Sequence, residues 1–190
     1  MNNSVKKYAF RLLLPLTAMA PFVSQTSQAQ LNSNTASVVI TATLLEALTL
    51  TALPSAVAID LAPGGDSADS LPVVITTTWA LGSNRTQVNV YGSFASSTVA
   101  LTDGLGHNIP AANVLGRVST GIPVAGTVFS QTAPFGAAGA GLKLVNQGVG
   151  LINLTSTRSD NLVLSISLTG GPTLPSGVYV GTLSIQAQAL

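Results

Sequence analysis

The sequence contains no cysteine, a single histidine and few charged side chains. Without cysteine the chain forms no disulfides, and one histidine does not complete any of the usual zinc ligand sets. Charged residues are 7% of the chain, against about 25% in a typical soluble domain. Stability therefore depends on the hydrophobic core, and little net charge keeps the polar surfaces of neighbouring copies apart.

The first 29 residues have the pattern of a bacterial secretory signal peptide. Three basic residues come first: Lys6, Lys7 and Arg11. The apolar stretch 12–23 is too short to span a bilayer, and small residues favour cleavage after Ala29. We therefore predict a secreted protein in the periplasm, at the cell surface or outside the cell, with residues 30–190 as one domain. No later stretch is long and apolar enough to span a membrane.

Cleavage changes the charge balance. Four basic and six acidic side chains remain, so the net charge becomes about −2. The four cations are scattered and do not form the basic stripe that follows a phosphate backbone. We therefore predict that nucleic acid is not a partner.

Alternation of apolar and polar residues predicts an all-β chain. The predicted strands are 36–44, 48–51, 56–61, 71–81, 87–94, 97–101, 114–119, 127–131, 142–147, 161–168 and 177–190. The short Gly82–Arg85 connection predicts that strands 71–81 and 87–94 form a hairpin, while 102–108 and 134–141 are predicted loops. Many short strands without a convincing helix favour an antiparallel β-sandwich, with an up-and-down barrel as the alternative.

The last strand, Gly177 to Leu190, has the clearest alternation. Tyr179, Leu183 and Ile185 fall on one face and are predicted to meet the core, whereas Ser184, Gln186 and their neighbours fall on the other. Because the alternation continues to Leu190, we expect this strand to lie inside a sheet.

No residue pattern indicates catalysis or metal binding. A G-x-S-x-G elbow is missing, and His107 lies in a Gly/Asn turn, where a solvated histidine is the simpler interpretation. Two oxygen sets, Asp66 with Asp69 and Asp103 with Asn108, lack the dense spacing of a calcium loop. We predict a non-enzyme with no catalytic, cofactor or metal site.

The two ends of the chain resemble bacterial fimbrial subunits assembled by periplasmic chaperones and outer-membrane ushers. Such subunits commonly have a glycine fourteen residues from the C-terminus, where Gly177 stands, followed by an alternating strand. The opening from Ala36 to Leu50, followed by Leu53-Pro54-Ser55, is similar to that of alpha-class (colonisation-factor-type) pilins, which also lack the disulfide. Ala189 stands where many pilins have an aromatic residue.

This resemblance implies an incomplete immunoglobulin-like sandwich whose open groove accepts the N-terminal strand of the next subunit. It also implies a periplasmic chaperone as a partner. Residues 30–44 are then a candidate donor or edge strand, and the chain is a pilin-like structural subunit of a surface filament or extracellular matrix.

The alternative is a monomeric adhesin or glycan-binding module, in which residues 30–44 complete their own sandwich and a ligand binds near Trp79 and Tyr91. These two aromatics, together with Phe94, are more simply interpreted as core residues. The sequence leaves open whether the N-terminal strand completes its own domain or that of a neighbour.

Overall fold

The computed structural model describes residues 34–62, 64–171 and 173–190. The predicted signal peptide and residues 30–33 of the candidate donor strand lie outside these described residues. The chain divides after Thr41 into two units, of which the second, 42–190, contains every described strand. Residues 34–41, the described part of the first unit, are exposed and form neither helix nor strand.

The described residues form ten β-strands and one short 3-10 turn, Ala111–Asn113. The strands are β1 (Ala47–Leu53), β2 (Val73–Ala80), β3 (Gln87–Ser93), β4 (Leu101–Thr102), β5 (Asn108–Ile109), β6 (Val114–Val118), β7 (Thr127–Val128), β8 (Gly141–Gly148), β9 (Thr155–Ile166) and β10 (Ser184–Ala189). Within this part of the chain, no helix has the length and apolar character needed to cross a bilayer.

The strands form two antiparallel sheets and a small hairpin. The larger sheet has the order β1-β2-β9-β6-β7, the smaller one has the order β10-β3-β8, and β4 pairs with β5. The predicted antiparallel β-sandwich of short strands is confirmed. The sheets remain separate, with β1 and β10 as neighbouring edge strands, so the barrel alternative is wrong.

The core lies between the sheets and follows from the alternation along the strands. In β2, every second residue from Val73 to Trp79 is buried, and in β9 the buried side chains alternate from Asp160 to Ile166. Phe94 packs edge-to-face on Phe129, with ring centroids 5.1 Å apart. This burial of apolar area replaces the disulfides that the composition excludes.

Two of the three noted aromatics are core residues, as interpreted from the sequence. Phe94 is buried, and Trp79 is 3% exposed with its Nε1 donating a 2.9 Å hydrogen bond to the carbonyl of Asn153. Tyr91 is half-buried on the outer face of β3, where it meets Phe135 and Lys143. Trp79 is therefore not available to stack on a ligand.

The predicted hairpin between 71–81 and 87–94 is wrong. β2 pairs with β1 and β9, whereas β3 pairs with β10 and β8, so residues 81–86 cross from one sheet to the other. Both runs have apolar residues suited to a buried strand, and a short Gly/Asn connection is compatible with such a crossing. Local turn chemistry did not distinguish the two cases.

Other differences concern strand limits. β9 begins at Thr155 and not at Asn161, because the polar residues Thr155–Asp160 pair along β2 although they lack an apolar alternation. Of the predicted strand 97–101 only Leu101 belongs to β4, which continues to Thr102, and of 127–131 only Thr127 and Val128 belong to β7. The terminal strand β10 pairs with β3 at the edge of the smaller sheet, so the expectation that the chain ends within a sheet and does not fray from it is confirmed.

Three predicted strands are not strands in this structure. They are 36–44, 56–61 and the first half of the terminal strand, 177–183. Each alternates as a strand does, but none has a neighbouring strand with which to form a ladder, apart from a single bridge at Val180. These three segments therefore have the alternation of strands without the ladder pairing.

Candidate functional site: an open groove between the sheet edges

A groove lies between the segment that follows β1 and the segment that leads into β10. Its first lip, residues 54–61, continues from β1 after the cis Leu53–Pro54 peptide. Val57, Ile59 and Leu61 are half-buried against the core, and the residues between them are exposed. Among the described residues, the main-chain groups of 55–61 have no main-chain hydrogen-bond partner. The first lip is an extended segment with unpaired edges.

The second lip, residues 177–183, leads into β10. Val180 exchanges two main-chain hydrogen bonds of 2.9 Å with Thr102 of β4. Neighbouring residues of an extended chain direct their main-chain groups to opposite edges, so those of Tyr179 and Gly181 point away from β4. Among the described residues, these have no main-chain partner either.

Close contact with the β4–β5 hairpin requires glycine at position 181. A Cβ built there overlaps the carbonyl oxygen of Ala100. Gly181 thus lets the second lip lie directly against the hairpin. The alternation of the terminal sequence identified the inward-facing Tyr179, Leu183 and Ile185 correctly, since all three pack against the core.

Between the lips the groove encloses about 800 Å³. Its floor is made of core side chains, among them Val73, Phe94 and Leu164. Among the described residues that line it, Asp60 alone has a carboxylate. An apolar floor between two unpaired main-chain edges suits an extended peptide, which offers main-chain groups to both lips and alternate side chains to the floor.

The N-terminal segment, residues 34–46, has the complementary properties. Its aliphatic side chains are almost fully exposed: Val38 by 83%, Ile40 by 87% and Leu44 by 92%. These three positions have the same parity and would share one face of a strand. The chain therefore contains both an unpaired segment with strand-like alternation and an apolar groove with unpaired main-chain edges.

The predicted turn histidine has a defined partner. The ring Nδ1 of His107 lies 2.5 Å from Asp103 Oδ2, and the side chain of Asp103 is 8% exposed. Burial alone would raise the pKa of Asp103, but hydrogen bonds from the His107 ring and from the Leu105 and His107 amides outweigh burial and lower it. Gly104 and Gly106 have positive φ in the same turn. The pair closes the β4–β5 hairpin, in which the Thr102 hydroxyl also donates to the His107 carbonyl at 3.4 Å.

The other carboxylates considered for metal binding lie apart. Asp69 forms a 2.7 Å ion pair with Arg117, and Asp66 accepts from Thr169 at 3.4 Å. Asn108 donates to the carbonyl of Gly106 instead of joining Asp103 around an ion. Across the described ranges, no three histidine or acidic residues come together as a metal-ligand group.

The residue pattern did not predict that one charged side chain, Asp160, is buried. Asp160, 3% exposed, accepts two 2.8 Å hydrogen bonds from Arg158, and Thr120 donates to it at 2.5 Å. Burial raises the pKa of Asp160, but these hydrogen bonds outweigh burial and lower it. Arg158 also donates to Gln147 of β8 at 2.8 Å. The cluster joins the two sheets, and both oxygens of the Asp160 carboxylate accept hydrogen bonds within the protein.

No family model, no curated protein and no solved structure matches this chain.

Proposed function

We propose that this protein is a secreted, non-catalytic structural subunit, pilin-like, that assembles into a surface filament or extracellular matrix by strand exchange between copies. The observation that supports it is the groove, whose two lips are extended and apolar on one face, and whose main-chain groups at 55–61, Tyr179 and Gly181 have no main-chain partner among the described residues. Unpaired edges of this kind invite pairing with another strand. The resemblance of the two ends of the chain to fimbrial subunits points to the same function.

The N-terminal segment is the occupant whose chemistry fits. Burying Val38, Ile40 and Leu44 contributes about 1.5–3 kcal/mol for each side chain. Main-chain hydrogen bonds to both lips add about 0.5–1.5 kcal/mol each, and ordering the backbone costs about 1–2 kcal/mol per residue. A net gain therefore requires both the side chains and the ladders.

Chain length favours insertion into a second copy over insertion into the same chain. β1 extends over Ala47–Leu53 before the first lip begins at Pro54, and β10 lies beside its free edge. A segment that turned back at Glu46 would need about seven residues to pass β1. Ile40 and Leu44 would then stop short of the groove, whereas in a second copy all of the segment is free to enter.

The proposal is tested by deleting residues 30–44 from the mature protein. The full protein should give a ladder of oligomers on unboiled SDS gels, and the deletion should give monomer. Hydrogen exchange provides a second readout, because insertion should protect amides of 55–61 and those of Tyr179 and Gly181, whereas the Val180 amide is already bonded to Thr102. A full-length protein that stays monomeric, with unchanged melting after the deletion, would refute strand exchange.

A further inference from the structure

The turn between β8 and β9 displays two aliphatic side chains on a firmly held backbone. In this turn, residues 149–154 (the tip), Leu151 is 82% exposed and Ile152 is 101% exposed. The backbone is fixed because Gly150 and Asn153 hold each other: the Gly150 amide donates to Asn153 Oδ1 at 2.7 Å, and the Asn153 amide donates to the Gly150 carbonyl at 3.0 Å.

Further hydrogen bonds anchor the tip to the body. Asn153 Nδ2 donates to the Gly148 carbonyl at 3.0 Å, and the buried Trp79 ring donates to the Asn153 carbonyl at 2.9 Å. Since the turn is already ordered, docking of Leu151 and Ile152 on a partner would cost little conformational entropy. Adjacent exposed aliphatics on a rigid turn are typical of a contact surface.

A small apolar pocket, the pole pocket, lies at the opposite end of the sandwich. It encloses about 160 Å³ and is lined by residues that include Leu61, Leu168, Leu174 and Ser176. An apolar cavity of about 150 Å³ is large enough to bind benzene, so this one accommodates a branched aliphatic side chain. The pocket adjoins the groove, because Leu61 also lines the groove.

β9 separates the tip from the pole pocket. The tip precedes Thr155 at the start of this strand, and Leu168 follows Ile166 at its end. Twelve residues of strand span roughly 40 Å. The tip and the pocket therefore face opposite directions, and a contact between them joins different copies head to tail, which builds an open chain of subunits.

β1 begins at the same pole as the tip. Glu46 accepts a 2.6 Å hydrogen bond from the Gly82 amide, and the preceding residue, Leu81, donates to the Leu154 carbonyl at 2.9 Å. Only Leu45 and Glu46 separate Leu44 from β1, a reach of roughly 10 Å. If Leu44 occupies the groove of the next copy, the tip pole must abut the pole pocket of that copy.

We propose that Leu151 and Ile152 of one copy pack into the pole pocket of the next copy. This second contact rests on the proposed strand exchange, which determines which poles of neighbouring copies meet, but it involves different residues. It fixes the angle between neighbouring subunits, which a two-residue connection alone would leave free.

The absence of cysteine makes the contact testable by disulfide trapping in the full mature chain. The variant carrying Ile152→Cys and Ser176→Cys should give, after mild oxidation, a ladder that survives boiling in SDS and collapses on reduction. The matched control carries Val124→Cys with Ser176→Cys, since Val124 is also exposed (63%) but lies between β6 and β7. We expect at least a tenfold higher yield of cross-linked species than in this control.

The outcomes separate the two proposals. One outcome is a ladder on unboiled gels with no more boiling-resistant product than in the control. This outcome overturns the tip contact and leaves the proposed strand exchange intact. A boiling-resistant ladder in the deletion of 30–44 supports the tip contact and refutes the view that strand exchange sets its register. Only dimers, also seen with Ile152→Cys alone, would mean that tips meet tips, which overturns the proposal.

Discussion

In the N-terminal segment, we predict that side chains at even-numbered positions enter the groove and that those at odd-numbered positions do not. Val39 and Ile40 are adjacent and almost equally exposed, at 91% and 87%. In an inserted strand they point to opposite faces, so only Ile40 enters the groove. Replacing Ile40 by Asp should abolish assembly, whereas replacing Val39 by Asp should leave it intact.

The size of the effect follows from the groove. Ile40→Asp forfeits about 1.5–3 kcal/mol of burial and brings a carboxylate onto an apolar floor, which costs several kcal/mol more. The sum is at least about 5 kcal/mol, and since 1.4 kcal/mol is tenfold, assembly should weaken by roughly a thousandfold or more. Val39→Asp places its charge in solvent or at the groove mouth, and should change assembly by less than about tenfold.

Unboiled SDS gels and sedimentation of the two mature variants, at equal concentration, provide the measurement. Both side chains are almost fully exposed in the single chain, so circular dichroism and melting of the monomer should match the unmodified protein. Equal loss of oligomers in both variants, or in neither, would refute insertion of 36–44 as a strand with Ile40 inward. The pair Leu44 and Leu45, exposed by 92% and 78%, provides an independent repeat.

Three further predictions concern the body of the domain. Gly181→Ala should lower the melting temperature, because its Cβ meets a carbonyl oxygen, whereas Gly177→Ala, with no atom closer than 3.9 Å, should not. Ile185→Asp should prevent soluble folding and Gln186→Lys should be nearly silent, as expression and melting will show; a folded Ile185→Asp protein would contradict the assigned face. The folded-state pKa of Asp103 is lowered, because hydrogen bonds outweigh burial, so its stabilising effect is present above the unfolded pKa and lost as pH falls through the folded one. Asp103→Asn should therefore lower the melting temperature at pH 7, and the difference should shrink as the pH falls below the ordinary aspartate pKa of about 3.9; a constant difference would disprove it.

The sequence predicted the fold class and the face of most strands, because burial on one side imposes alternation directly on the residues. It did not predict which strands pair. The run that ends near Trp79 and the run that begins at Gln87 look like a hairpin, but they belong to different sheets. Pairing depends on the packing of distant segments, which local turn chemistry does not encode. The polar start of β9 was missed for a related reason, since its buried side chain, Asp160, is charged and is paired with the half-buried Arg158.

The strand predictions that failed outright share one cause. Segments 36–44, 56–61 and 177–183 all alternate like strands, and in a single chain all three are unpaired apart from Val180. Two of them border the groove, and the third has the pattern of a strand that would fill it. Placing 36–44 of one copy between the lips of another would pair all three segments at once. The proposed assembly would then account for the alternation in the sequence, because each of these segments would have a neighbouring strand.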